Sequence, residues 1–252
     1  MNTRALKTAV VAWALVLTPV AVRAADVTVL ISNAFTSALD ELAPRFEKMS
    51  GHKLRISYGS TGPLKSRIEK GGAFDLTLIG DAALDDLIKQ GKLSAPTRAV
   101  IARAGLGVAI RKGAPKPDLA TTDAFKRALI AAKSIAYNER GLSGIYLKGL
   151  FQRLEIAEIL KAKTKDAAGG ETVAKGDAQM GITQISEILS EAGAELAGSL
   201  PAEIQSYSVF VAAVSSGTSQ ADAAAALIKF LALPDSVSVM KTKGLESVPA
   251  SR

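Results

Sequence analysis

Between residues 27 and 93 the chain alternates three times between an apolar run and an amphipathic segment. The runs are "VTVLISNAF", "HKLRISYG" and "AFDLTLIG". They are followed by "TSALDELAPRFEKMSG", "PLKSRIEKGG" and "DAALDDLIKQGKL". In the first amphipathic segment Leu39, Leu42, Phe46 and Met49 share one helical face, Gly51 suits a helix stop, and Pro44 is a potential kink. Strand and helix taken in turn are the signature of a parallel α/β sheet, because each helix must cover the sheet that its neighbouring strands build.

The remainder of the chain adds a second unit of the same kind. "AVIARAGLGVAIRKGAP" is a long apolar run without a helical face, long enough to leave one lobe and enter another. Beyond it, "KPDLATTDAFKRALIAA" reads as a loop and a helix. "KSIAYNERGLSGIYLKGLFQRLEI" reads as a short strand, a Gly-rich loop and a helix, and "AKGDAQMGITQISEILSEAG" repeats that arrangement. "AEIQSYSVFVAAVSS" is a second long strand, suited to a return crossing, and the helical segment "TSQADAAAALIKFLALP" followed by "DSVSVMKTKGL" closes the chain. The expected division is residues 25–106 plus 213–252 in lobe 1 and residues 107–212 in lobe 2. The expected fold class is α/β, with two parallel-rich sheets flanked by helices and joined by two hinge crossings.

Residues 1–24 read as a secretory signal peptide. Arg4 and Lys7 precede an apolar run over residues 8–22, and Val22-Arg23-Ala24 places small residues at a cleavage site. The apolar run is too short for a membrane span. Without residues 1–24 the formal charge falls from +7 to +4, since three basic residues and no acidic one leave. That balance favours small anions and argues against nucleic acid, as no basic stretch is interleaved with aromatics. The absence of cysteine excludes disulfides and thiolate metal sites, so an exported chain must rely on its core. The single histidine, His52, reads as a solvated turn residue away from every Gly/Ser loop. No metal and no cofactor are expected.

In open α/β sheets ligands bind outside the carboxyl ends of the strands, and the polar clusters of this chain fall at such ends. Ser32 and Asn33 follow the first strand, Ser60 and Thr61 the second, and Gly80-Asp81 the third. Asn138 to Ser143 precede a helix of the second lobe, and Thr183-Gln184 follow its next strand. Ser, Thr and Asn at helix starts also serve as ordinary caps worth about 1 kcal/mol each. Their recurrence at one sheet edge points further, to a cleft that holds an anion by hydrogen bonds and helix N-termini.

The stretch "VTVLISNAFTSALDELAPRFEKMSGHKLRISYGSTGPLKSRIEKGGAFDLTLIGD" resembles the N-terminal half of the periplasmic molybdate-binding proteins of ABC importers. The likeness continues in "SGIYLKGLFQRLEI", "KGDAQMGIT" and "AAALIKFLALPDSVSVMKTKGL". It implies a type II periplasmic-binding-protein fold, two lobes that close on a ligand by a hinge motion. It further implies a periplasmic location, a small anionic ligand, a permease partner in the inner membrane and no chemistry; the chain is expected to be a monomer. Carried over, the family's first ligand-binding serine falls at Ala34, and the second-loop serine at Ser60 or Thr61. The helix-start donor falls near Ser143, and the tyrosine after "GIV" falls at Gln184. A site that dehydrates molybdate needs every donor, so the loss of two side chains turns the expectation toward a di- or tricarboxylate. The expected ligand-binding set is Ser32, Asn33, Ser60, Thr61, Arg140, Ser143 and Gln184.

The alternative is an enzyme on the same scaffold, since aconitate isomerases resemble this family. It would need a base, with Asp81 and Glu139 as candidates, and cations for the carboxylates, with Lys65, Arg103 and Arg140 as candidates. An effector-sensing domain of a transcription regulator would share the two-lobe architecture, but the export signal argues against it.

Overall fold

The computed structural model describes residues 24–248. The signal-peptide reading therefore lies outside the described residues, apart from Ala24. The first half alternates as expected: β1 (Asp26–Ser32), α1 (Thr36–Ser50), β2 (Lys53–Gly59), α2 (Thr61–Glu69), β3 (Leu76–Gly80) and α3 (Asp81–Lys89). The long strand β4 (Ala99–Arg111) leads to α4 (Thr122–Ala131), β5 (Ile135–Tyr137), α5 (Leu142–Arg153), α6 (Ala157–Lys161), β6 (Thr164–Asp166) and α7 (Gly169–Ala174). Then follow β7 (Met180–Gln184), α8 (Ile185–Ser190), β8 (Ala194–Ser199), β9 (Tyr207–Val214), α9 (Ala221–Leu231) and α10 (Pro234–Thr242).

The strands lie in the order β2-β1-β3-β9-β4-β7-β5-β6, with β8 also beside β4. β1 runs parallel to β2 and β3, and β5 runs parallel to β6 and β7. β4 and β9 make antiparallel pairs, so the sheet is mixed where the chain crosses. β4 changes partners midway: Ala99–Gly105 face β9, whereas Leu106 pairs with Gln184 of β7 and Gly107 with Ser199 of β8. At the switch the Gln205 carboxamide accepts from Leu106 N at 2.8 Å and donates to Leu106 O at 3.0 Å, which pairs backbone groups where the ladder changes. β9 joins β4 from Tyr207 onward. It pairs with β3 from Phe210 onward.

Central strands are covered on both faces, which is why they read as apolar runs rather than alternating ones. Val29 and Ile31 of β1 pack with Phe35, Phe46, Phe210 and Phe230 under α1 and α9, and Leu30 packs with Leu64, Ile68 and Leu84 under α2 and α3. Phe35 meets Phe210 edge-on at 5.4 Å. A separate core beyond the switch joins Val108, Phe125, Tyr137, Leu147, Phe151 and Ile182. Each fully buried side chain of this size contributes about 1.5–3 kcal/mol.

Two readings are corrected. Met49 turns out of the α1 core face and is 61% exposed. His52 is buried: its Nδ1 accepts from Ala25 N at 3.2 Å and its ring lies 6.2 Å from that of Phe46, so it fastens the start of β1 to the end of α1. Gly51 does end α1, with φ +75°, the left-handed conformation that glycine adopts without strain.

Candidate functional site

A cavity of about 320 Å³ opens where the ends of β1, β2 and β7 meet the starts of α1, α2 and α5. Ser32, Asn33, Ser60, Thr61, Ser143 and Gln184 all line it. Ser32 is buried and its Oγ accepts from Ala34 N at 3.4 Å, while Asn33 stands exposed at the rim. Ser60 occupies the cap position of α2 but makes no capping bond with its side chain. Its Oγ instead accepts from Asn138 Nδ2 at 3.2 Å, a bond that spans the cavity. The Thr61 hydroxyl accepts from Gly80 N at 3.2 Å and ties the start of α2 to the end of β3.

The opposite wall begins at Asn138, whose Oδ1 accepts from Arg140 N at 3.1 Å and whose carbonyl accepts from Gly141 N at 3.1 Å. That tight turn presents the first turn of α5, with Ser143 buried in it. Gly144 makes the fold-back possible, since a Cβ there would lie 2.0 Å from Asn138 O. Gly141 offers no side-chain cap, so the first N–H groups of α5, like those of α2, have no intrahelical acceptor. Both helix starts therefore bring partial positive charge to one cavity. Contact across it is close: Leu142 packs on the first core, and a Cβ on Gly80 would lie 2.8 Å from Leu142 Cδ1.

The charged residues proposed from the sequence lie elsewhere. Arg140 does not line the cavity; its side chain is 87% exposed, 3.9 Å from Asp166. Asp81 accepts from Ala82 N at the start of α3, and Glu139 pairs with Lys148 at 2.6 Å. Lys65 pairs with Asp86 at 3.1 Å, which holds its ammonium above the usual range. Arg103 pairs with Glu246 at 2.8 Å and lies over the Tyr207 ring at 4.1 Å. Each cation is thus engaged by a partner outside the cavity. Ala34, at the position of the family's serine, is 2% exposed and belongs to the first core.

The residues that the sequence reading missed are acidic. Asp40, Glu171, Glu187 and Glu191 line the cavity, and among the described residues no lysine or arginine does. Glu187 is held in place: its Oε2 accepts from the Thr183 hydroxyl and, with the Gln184 carboxamide turned so that its nitrogen faces Glu187, from that nitrogen at 2.9 Å. Burial pushes its pKa above the ordinary carboxylate value, and nearby Glu191 pushes the same way, against the Thr183 bond. From sequence Glu187 is an acid in the first turn of a helix, where carboxylates are ordinary.

Two α/β halves, joined where one long strand changes partners and enclosing a cavity of helix starts, hydroxyls and amides, define a binding protein for a small solute. The chain belongs to the family of bacterial extracellular solute-binding proteins, whose sequence model matches residues 27–246. It is 34% identical over 232 residues to the aconitate isomerase of a Pseudomonas species, covering 88% of either chain. It is 28% identical over 235 residues to the molybdate-binding protein ModA of Azotobacter vinelandii, covering 89% of this chain and 91% of that one. The solved structure of the periplasmic molybdate-binding protein of Azotobacter vinelandii superposes with a TM-score of 0.75 at 23% identity, over 88% of this chain and 99% of that one. The fold is that of the type II periplasmic binding proteins.

Proposed function

We propose that the chain is an exported solute-binding protein that closes on a small di- or tricarboxylate and presents it to a membrane permease. The observation that carries this reading is the placement of the α2 and α5 starts on opposite walls of one cavity, with the Asn138 carboxamide of one wall donating to the Ser60 hydroxyl of the other at 3.2 Å. Two separated donor sets suit a ligand with charge at both ends. The two lobes meet at the partner switch of β4, with residues 25–105 and 207–248 on one side and 106–206 on the other. The ligand set is Ser32, Asn33, Ser60, Thr61, Ser143 and Gln184. Arg140 is left out, since its guanidinium lies at the surface.

Molybdate is disfavoured. A tetrahedral oxyanion needs converging donors, and Ala34 and Gln184 stand where the resemblance to molybdate-binding proteins places a serine and a tyrosine. The relative named aconitate isomerase supports a carboxylate ligand. Calorimetry on the ligand-free mature protein tests the reading: heat with trans-aconitate, citrate or tricarballylate is expected. Sub-micromolar molybdate binding without heat from any organic anion would overturn it.

A second reading, an isomerase of the aconitate type, is favoured by the same relative. Its acid–base groups would be carboxyls of the cavity lining, not Asp81 or Glu139. Incubation of cis-aconitate with the purified protein, followed by proton NMR, distinguishes the two: a growing trans signal supports the isomerase, and an unchanged spectrum with bound ligand supports the carrier.

A further inference from the structure

A cavity for a polycarboxylate that is lined by four carboxyl groups and, among the described residues, by no cation poses an electrostatic problem. Of the elements packed against α8, α1 contributes Asp40 to the lining and α7 contributes Glu171, which pairs with Lys175 just past the end of α7. Glu191 stands just past the end of α8, and β4, β7 and β8 contribute no charged side chain to the lining. Asp40 and Glu171 are exposed to water, which screens them. Glu187 is the inner one, half-buried and fixed by Thr183 and Gln184. An ionised Glu187 would face a bound carboxylate without a counter-charge, and like charges in a desolvated site repel strongly.

We propose that Glu187 keeps its proton in the ligand complex and donates it to a carboxylate of the ligand, which makes it the residue that selects an anion in this cavity. The proposal rests on the polycarboxylate reading above. The Thr183 hydroxyl already donates to Oε2, and with the Gln184 carboxamide turned so that its nitrogen faces Glu187 that nitrogen donates to Oε2 as well, so Oε1 is the oxygen left to carry the proton. A carboxylic acid that donates to a carboxylate forms a short, charge-assisted hydrogen bond, and the pair shares one negative charge where two would repel. Burial and Glu191 both favour the neutral form of Glu187, so the proton is retained at a pH where an ordinary glutamate has lost it.

Glutamine mimics a protonated glutamate, since its NH2 group is a permanent donor of nearly the same shape. The experiment is therefore calorimetry with trans-aconitate and with tricarballylate, on the wild type and on Glu187→Gln, from about pH 5 to about pH 8.5. Titration of the ligand is common to both proteins and cancels in the ratio of their affinities. At low pH the two should bind within about threefold of one another. As pH rises, wild-type affinity should fall relative to the variant, by up to tenfold per pH unit once Glu187 ionises. Glu187→Ala, which lacks a donor, should bind weakly at every pH.

A ratio that stays constant across the range, or a Glu187→Gln variant more than tenfold weaker at low pH, would overturn the donor role and leave the polycarboxylate reading intact. No binding by either protein at any pH would overturn that reading and the donor role with it. The side-chain 13C carboxyl resonance of Glu187 in the ligand-free protein gives a second measurement. Its midpoint should lie above the ordinary glutamate range, and a midpoint within that range would overturn the proposal.

Discussion

Alanine at Gly144 and alanine at Gly149 should act in opposite directions, although both lie on α5. A Cβ on Gly144 would lie 2.0 Å from Asn138 O, 2.7 Å from Glu139 Cα and 2.8 Å from Asn138 C. All three are backbone atoms, so no rotamer change relieves the contact. Ordinary contact begins at 3.4 Å, so the Asn138 carbonyl has to retreat by about 1.4 Å. Overpacking of this kind costs about 1–3 kcal/mol. For a chain of this size that lowers Tm by about 2–12 °C. A retreat of that length also strains the 3.2 Å bond from Asn138 to Ser60 and displaces one wall of the cavity, so ligand affinity should fall as well. A Cβ on Gly149 meets nothing closer than 3.6 Å, at the tip of Arg153. There alanine only restricts the unfolded chain and improves helix propensity, for a gain of about 0.5–1 kcal/mol. Scanning calorimetry with and without a bound polycarboxylate reads both effects. Equal Tm values for Gly144→Ala and wild type, with equal affinity, would refute the claim that this glycine seats the Asn138 turn.

Ser60→Ala should weaken polycarboxylate binding by about 1–3 kcal/mol if its hydroxyl contacts a charged group, read by calorimetry; unchanged affinity would return Ser60 to a plain helix cap. Arg140→Ala should leave affinity unchanged in the same titration, because the guanidinium is exposed and directed at Asp166; a tenfold loss would place Arg140 in the site after all. In the ligand-free protein Glu187→Gln should raise Tm more at about pH 8 than at about pH 5. The sign follows from the raised folded-state pKa of Glu187: stability is complete below its unfolded value of 4.5 and is lost as pH rises through the folded value. A Tm difference that shrinks with rising pH would contradict that assignment.

The strand–helix alternation was legible because each element carries its own signal: apolar runs for covered strands, an amphipathic face in α1, and glycines at the turns. β8 was missed because "AELAGS" is half-buried and poor in β-branched residues, and its identity comes from pairing with β4. His52 was misjudged because its surroundings come from Ala25 and Phe46, contacts that no local pattern announces. The polar strand ends were visible as residue types. Whether a charged residue turns inward depends on partners remote in sequence. Arg103 is held by Glu246 across 143 residues, and the Arg140 guanidinium lies beside Asp166. Glu187 was hidden for the opposite reason, since an acid in the first turn of a helix has an ordinary explanation in the helix dipole.

The charge pattern of the cavity bears on how a solute is chosen. Each helix start supplies roughly half a positive charge, so α2 and α5 together offset about one unit of a ligand's charge. The hydroxyls and amides of Ser32, Ser60, Asn138, Ser143 and Gln184 add donors but no charge. A tricarboxylate carries up to three negative charges into a lining that already holds carboxyls, so the remainder must stay hydrated or be met by a proton. Lysine or arginine in the wall would resolve this simply, and would then bind any small anion that reached the cavity. A wall of fixed donors with one carboxyl that accepts or releases a proton discriminates by the spacing of the ligand's charged ends. Electrostatic attraction is weak in such a site, so a misplaced carboxylate leaves buried donors unpaired at about 1–3 kcal/mol each.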